Sequence, residues 1–183
     1  MAIGRLSVGV GRKGTASPHA EYIAREGKYA KDEKVEKLEA TGQGNMPEWA
    51  QADPNFFWKM SDEHERKNGT SYREHVISLP RELTPDQRHE LIKNWIKQEI
   101  GDKHSYQYAI HNPPAMDGRD QPHAHIMFSE RLIDDVQRDP DQFFKRYNSK
   151  HPEKGGAKKA NTPKLAAERK NELKQQRDRW EKL

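Results

Sequence analysis

Alternating and helix-spaced apolar positions divide the chain into a series of short elements. Ile3, Leu6, Val8 and Val10 alternate loosely between Ala2 and Val10, predicting a first strand. Gly9, Gly11, Arg12, Lys13 and Gly14 then form a flexible basic loop. Ser17-Pro18 predicts a helix start, with a capping hydroxyl and proline at the first helical position. That helix continues through Tyr22, Ile23 and Arg25, and Gly27 either closes it or is tolerated within it. Residues 31–45 are charged and then glycine-containing, and read as a solvated excursion. Asp53-Pro54 opens a second helix with Phe56, Phe57, Trp58 and Met60 as its apolar contacts and Asn68-Gly69 as its end.

Ser71 to Leu79 alternates as a strand, with Tyr72, Glu74, Val76 and Ser78 on one face and Arg73, His75, Ile77 and Leu79 on the other. Thr84-Pro85-Asp86-Gln87 predicts a capping box, and Leu91, Ile92, Trp95, Ile96 and Ile100 make one apolar stripe ended by Gly101. Ser105–His111 and His123–Ser129 read as strands joined by a Pro/Gly/Asp-rich loop. After Arg131 the chain reads as helical and basic, with Phe143, Phe144 and Tyr147 as anchors. Thr162-Pro163 opens a last helix carrying Leu165, Leu173, Trp180 and Leu183. This order predicts an α+β domain with an antiparallel sheet and helices packed on it.

Composition narrows the class. With 32% hydrophobic and 34% charged residues the core must be economical, yet four Trp, six Tyr and five Phe supply anchors that a disordered chain usually lacks. The net charge of +4 and pI near 9.1 suit a polyanionic partner. Absence of cysteine excludes disulfides and thiolate metal sites. The N-terminal stretch has no apolar core or cleavage-like site, and no run reaches transmembrane length, so a soluble intracellular protein is expected.

The chemistry concentrates in Gln121-Pro-His-Ala-His-Ile-Met-Phe-Ser-Glu130. In a strand, His123 and His125 share a face with Met127 and Ser129, while Ala124, Ile126 and Phe128 cover the other. If Ser105–His111 and His123–Ser129 pair as a hairpin, the simplest register sets His111 opposite His123 and diagonal to His125. Opposite Cβ atoms lie roughly 4.5–5.5 Å apart and diagonal ones roughly 7–8 Å, within reach of one ion bound by imidazole at about 2.1 Å. A one-residue slip would turn the histidines of one strand away. An H-x-H pair alone also fits ordinary strand decoration. Three neutral imidazoles on softness alone suit Zn²⁺, and an open coordination side favours a catalytic ion over a structural one.

Gln121 to Glu130, preceded by Ala109-Ile110-His111, resembles the three-histidine motif of HUH endonucleases. Ala20-Glu-Tyr-Ile-Ala-Arg-Glu-Gly-Lys-Tyr29 resembles the catalytic-tyrosine motif of the MobA/MobL relaxases. Phe144-Lys-Arg-Tyr-Asn148 and Pro152-Glu-Lys-Gly-Gly156 are similar to that family too. The tyrosine precedes the histidines, which is the relaxase order; rolling-circle replication initiators usually reverse it.

The resemblance implies a central sheet of about five strands in the HUH-endonuclease relaxase fold. It implies a single relaxase domain over residues 1–183, with a basic helical part from about 139 to 183, and we expect an N-terminal fragment of a longer protein. The implied activity is metal-dependent nicking and rejoining of one strand at a plasmid origin of transfer. Tyr22 is the implied nucleophile, through a 5′-phosphotyrosyl intermediate, and His111, His123 and His125 the ligands of Mg²⁺ or Mn²⁺. Glu74 falls at an acidic active-site position; Val76 stands where some relatives carry a second acid. Glu74 is left three roles: orienting a histidine, approaching the metal or helping take the tyrosine proton. The implied partners are single-stranded origin DNA, relaxosome accessory proteins and a type IV secretion coupling protein. A monomer is expected, in the bacterial cytoplasm, carried with DNA to the recipient cell.

Between Lys145 and Lys164 seven Lys or Arg stand against the single acidic Glu153. Lys145, Arg146, Lys150, Lys154, Lys158 and Lys159 are candidate phosphate contacts, as are Arg12 and Lys13. A merely solvated basic face is the plainer reading. Phe143, Phe144 and Tyr147 fit either base stacking or core packing. Tyr22 also fits packing against the sheet, Tyr29 fits packing better than a second nucleophile, and Glu74 fits a surface ion pair. A replication initiator, a non-catalytic DNA-binding module with structural histidines and a metal-dependent hydrolase remain as alternatives.

Overall fold

The computed structural model describes residues 5–26, 38–113, 116–160 and 165–183. Five strands form one antiparallel sheet in the order β1-β3-β5-β4-β2. They are β1 (Leu6–Arg12), β2 (Leu38–Gly44), β3 (Thr70–Ser78), β4 (Tyr106–His111) and β5 (His123–Phe128). The helices are α1 (Ala16–Ala24), α2 (Pro54–His64), α3 (Pro85–Glu99), the single turn α4 (Pro140–Phe143) and α5 (Ala166–Glu181).

Strand alternation gives the sheet two apolar faces. One buries Tyr72, Ala109 and Met127 against Ala20 and Ile23 of α1, Phe57 and Trp58 of α2, and Phe143 and Phe144. The other buries Ile77, Ile110 and Ile126 against Ile92, Trp95 and Ile96 of α3 and Trp180 of α5. Phe143 and Phe144 are therefore core residues, and packing accounts for them rather than base stacking. The hairpin pairs as expected, with His111 opposite His123 and Ala109 opposite His125. The Thr84–Gln87 capping box forms, and Gly101 takes a left-handed φ of 57° after α3.

Several expectations are corrected. The first helix begins at Ala16 rather than after Ser17, because the Asp62 carboxylate of α2 accepts from the amides of Gly14, Ala16 and Ser17 at 2.8–3.0 Å. It ends at Arg25, whose φ is 56°, and Gly27 and Tyr29 lie outside the described residues. α2 stops at His64, before Asn68-Gly69. Part of the expected excursion is strand β2, paired along β4.

The segment after Arg131 is mainly loop, because its backbone carbonyls are claimed by buried arginines instead of helical amides. Arg131 donates to the carbonyls of Lys145 and Ala157 at 2.8 and 2.7 Å, and Arg138 to those of Gly155 and Pro152 at 2.9 Å each. The start of the last helix at Thr162-Pro163 lies outside the described residues. Of its four expected anchors Trp180 is buried and Leu173 half-buried, whereas Leu165 and Leu183 are exposed.

Candidate functional site

β4 and β5 bring His111, His123 and His125 together with α1 packed above them. One ring nitrogen from each lies within 4.8 Å of the others, and the ring centroids are 5.1–5.4 Å apart. Each histidine also has an oxygen partner that can only accept. His111 Nε2 donates to the Ile23 carbonyl at 2.6 Å, His123 Nδ1 to the Gln121 carbonyl at 3.4 Å, and His125 Nδ1 to Glu74 Oε1 at 3.3 Å. Such partners fix the tautomer and ring orientation of metal-ligating histidines. They leave the lone pairs of His111 Nδ1 and of Nε2 of His123 and His125 as the ones that could face an ion. The donor set therefore fits a divalent ion.

Charge is arranged to match. Burial would raise the Glu74 carboxyl, but hydrogen bonds from His125 and His19, with their attraction when charged, outweigh it and hold the carboxyl down at about 2. Burial pushes His111 down to about 4, aided by Arg25 and the neighbouring histidines against its bond to Ile23, so the imidazole is in its neutral, ligating form near pH 7.

Sequence reasoning missed His19. It lies one turn before Tyr22 on α1, donates through Nε2 to Glu74 Oε2 in a close contact, and stacks on Tyr72 with centroids 5.4 Å apart. The i, i+3 spacing from Tyr22 was the available signal. His19, Glu74 and His125 form a second group of potential ligands. In that group Nε2 of His19 and Nδ1 of His125 already donate to the shared carboxylate, so the three-imidazole group is the better ion site.

Tyr22 is half-buried beside this centre. The Arg25 guanidinium carbon sits 4.7 Å from its ring centroid, and the His19 ring lies 6.2 Å away. The His111–Ile23 bond ties the backbone next to Tyr22 directly to the histidine cluster.

The predicted phosphate contacts do not share one environment. Arg12, Lys145, Arg146, Lys150, Lys154 and Lys158 are exposed and Lys13 is half-buried. Lys159 is ion-paired to the buried Glu65 at 3.1 Å. Arg12 and Lys13 lie near the C-terminal basic loops, since Arg12 pairs with Thr70 and Lys159 approaches the Thr70 carbonyl at 3.5 Å.

Comparison with known proteins decides the family. The model of the MobA/MobL family matches residues 13–183. The chain belongs to the MobA/MobL family. It is 54% identical over 184 aligned residues to a 43 kDa relaxation protein of Salmonella typhimurium, covering all of this chain and 49% of that protein. It is 39% identical to mobilization protein A of Escherichia coli, covering 98% of this chain and 24% of that one. The chain thus spans about half and about a quarter of these two relatives. A solved structure titled for the molecular basis of vancomycin resistance transfer in Staphylococcus aureus aligns with a TM-score of 0.65 at 18% identity, over 98% of this chain and 89% of the other. The expected antiparallel sheet of about five strands with packed helices is borne out, and the fold as a whole is shared with that solved structure. Among its described residues no helix is long and apolar enough to cross a membrane.

Proposed function

We propose that this MobA/MobL chain is a DNA strand transferase that nicks and rejoins one strand at a plasmid origin of transfer. One observation carries the reading. Three imidazoles with assigned tautomers converge beneath the helix that bears Tyr22. Their relatives' names, relaxation protein and mobilization protein, supply the setting.

His111, His123 and His125 would hold Mg²⁺ or Mn²⁺, with Zn²⁺ also suited to three nitrogens. A divalent ion held there would supply Lewis-acid polarisation of the phosphate. Tyr22 attacks phosphorus through its phenolic oxygen, forming the Tyr–O–P bond as the P–O3′ bond breaks. The phenol loses its proton, and the departing oxygen takes one up as the free 3′-hydroxyl. One phosphodiester replaces another, so the 3′-hydroxyl can attack the 5′-phosphotyrosyl link and reseal the strand. Glu74 orients His125, and through His19 it steadies the helical turn before Tyr22. Arg12, Lys13 and the exposed Lys145, Arg146, Lys150, Lys154 and Lys158 contribute phosphate contacts. Accessory relaxosome proteins, a secretion coupling protein and a cytoplasmic site of action belong to the same reading.

A supercoiled plasmid carrying the cognate origin tests it. The chain should relax the plasmid in Mg²⁺ or Mn²⁺, stop in chelator, and leave protein on the 5′ end. Tyr22→Phe should form no adduct; an adduct from that variant would remove Tyr22 as nucleophile. Cutting without any adduct would favour a hydrolase, and cutting only at a replication origin would favour an initiator.

A further inference from the structure

A second basic feature lies where the C-terminal loops meet the end of the sheet. A cavity of about 310 Å³ is lined by Arg66, Arg131, Arg146, Tyr147, Lys158 and Lys159, within the range of small-molecule sites. Its cations have different tasks. Arg131 is 4% exposed and its guanidinium donates to Glu65 and to the carbonyls of Phe144, Lys145 and Ala157. Lys159 shares the same Glu65. That buried carboxylate is therefore held by two cations from within. Arg66, Arg146 and Lys158 are exposed and have no ion pair with a carboxylate among the described residues.

The pocket is built by interlocked backbone rather than by loose lysines. The Gly156 amide donates to the Arg146 carbonyl and the Ala157 amide to the Phe143 carbonyl, both at 2.9 Å. A Cβ on Gly156 would stand 1.9 Å from the Lys145 carbonyl oxygen, so only glycine permits this approach. The clasp fixes Arg146 and Tyr147 beside Lys158, whose Nζ lies 5.8 Å from the centroid of the Tyr147 ring. Cations lining one cavity with an aromatic ring suit a phosphate joined to a planar base.

Its position relates it to the histidine centre. Phe144 and Ala157 pack in the same core as Tyr72 and Met127, placing the pocket on the histidine side of the sheet. The Thr70 carbonyl approached by Lys159 lies four residues before Glu74 on β3, or about 13 Å along a strand rising ~3.3 Å per residue.

We propose that this pocket holds one nucleotide of single-stranded DNA. Arg66, Arg146 and Lys158 take its phosphates and Tyr147 takes its base, anchoring the strand away from the phosphodiester that reacts. The assignment rests on the reading of DNA as substrate. A duplex base already stacked on its neighbours would not reach Tyr147.

Fluorescence anisotropy with a labelled single strand of mixed sequence, in chelator, separates this site from metal and cleavage. Tyr147→Ala should weaken binding about 5- to 150-fold and Tyr147→Phe by less than about twofold. Arg66→Ala and Arg146→Ala should each lower the slope of log affinity against log salt by about 0.7. Thermal melts should place every variant near wild type. If wild type binds the strand and both Tyr147→Ala and Arg66→Ala match it, the pocket assignment falls while the DNA reading stands. Equal losses on single strand and blunt duplex would overturn the role of the base. No binding by wild type would overturn both readings.

Discussion

Glu74 and His75 are neighbours on β3, yet they belong to opposite sides of the sheet and to opposite kinds of interior. On the α1 side, Glu74 receives hydrogen bonds from His19 and His125, and one ring nitrogen each of His111, His123 and His125 lies within 4.8 Å of the others. On the α3 side, His75 is 2% exposed, its Nδ1 accepts from Trp95 Nε1 at 3.2 Å, and Phe128 lies edge-on to it. Burial, slightly offset by Glu99, pushes it down to about 4. Both sides bury histidine, so burial does not distinguish a site from a core. What differs is the supply of polar partners. His75 meets one indole within an apolar cluster, while the α1 side offers a carboxylate, carbonyls and further imidazoles.

The largest effect should come from breaking the converging side. His125→Ala should lower Mn²⁺ affinity more than about 100-fold, beyond the roughly 10–100-fold expected for losing a supporting partner. His75→Ala should leave that affinity unchanged while costing about 2–4 kcal/mol of stability through a cavity and an unpaired indole N–H. Titration calorimetry and denaturant unfolding read the two quantities. Similar ion affinities for the two variants would erase the distinction between the faces. Glu74→Gln is the intermediate case, because it keeps the side-chain size but removes the charge that orients His125. Its expected loss is about 10–100-fold, and wild-type affinity would show that His125 needs no such partner.

Acid should separate Glu74 from its neighbour His75 by pH window. The unfolded chain protonates His75 near 6.5 whereas the folded chain resists until about 4, so the unfolded state binds more protons in between. Stability therefore falls as pH drops from 6.5 to 4, by up to about 3 kcal/mol for this histidine, and His111 acts in the same window when no ion is bound. Glu74 is depressed from 4.5 to about 2, so its contribution is present above 4.5 and is lost as pH falls toward 2. Denaturant unfolding in chelator should show both declines. His75→Gln should shrink the first to the part that His111 supplies and leave the second, and an unchanged upper decline would refute the account of His75.

These contrasts also show what could be read from the chain. The hairpin and its register were legible because period-two alternation and the three histidines must agree in parity, and the pairing of His111 with His123 meets that demand. β2 was not legible, since Leu38-Glu-Ala-Thr-Gly-Gln-Gly44 has little strand preference of its own. Distant partners make it a strand. Arg88 of α3 forms a buried ion pair with Glu39, and Tyr108 and Tyr106 lie across Gly42 and Gly44. The start of α1 was misplaced for a similar reason, its capping carboxylate arriving from Asp62, 45 residues beyond Ser17. The phosphate candidates between Lys145 and Lys164 look alike in sequence, but Lys159 turns inward to Glu65, which Arg131 also holds.

His19→Phe should give the smallest effect and the finest discrimination. Phenylalanine can keep the ring stacked on Tyr72 while removing the donor to Glu74, so stability should change by no more than about 1.5–3 kcal/mol, the range for a hydrogen bond to a charged group. Glu74 would still receive His125, and none of the three converging nitrogens would be lost. Ion affinity should therefore change by less than about tenfold, below the range for losing a direct partner of a ligand. The adduct-forming rate should fall more than affinity, because His19 steadies the turn that carries Tyr22. A loss of affinity as large as that of His125→Ala would mean that His19, Glu74 and His125 hold the ion. His111 and His123 would then be its neighbours rather than its ligands, and the line between the two faces would have to be redrawn around α1 instead of around the β4–β5 hairpin.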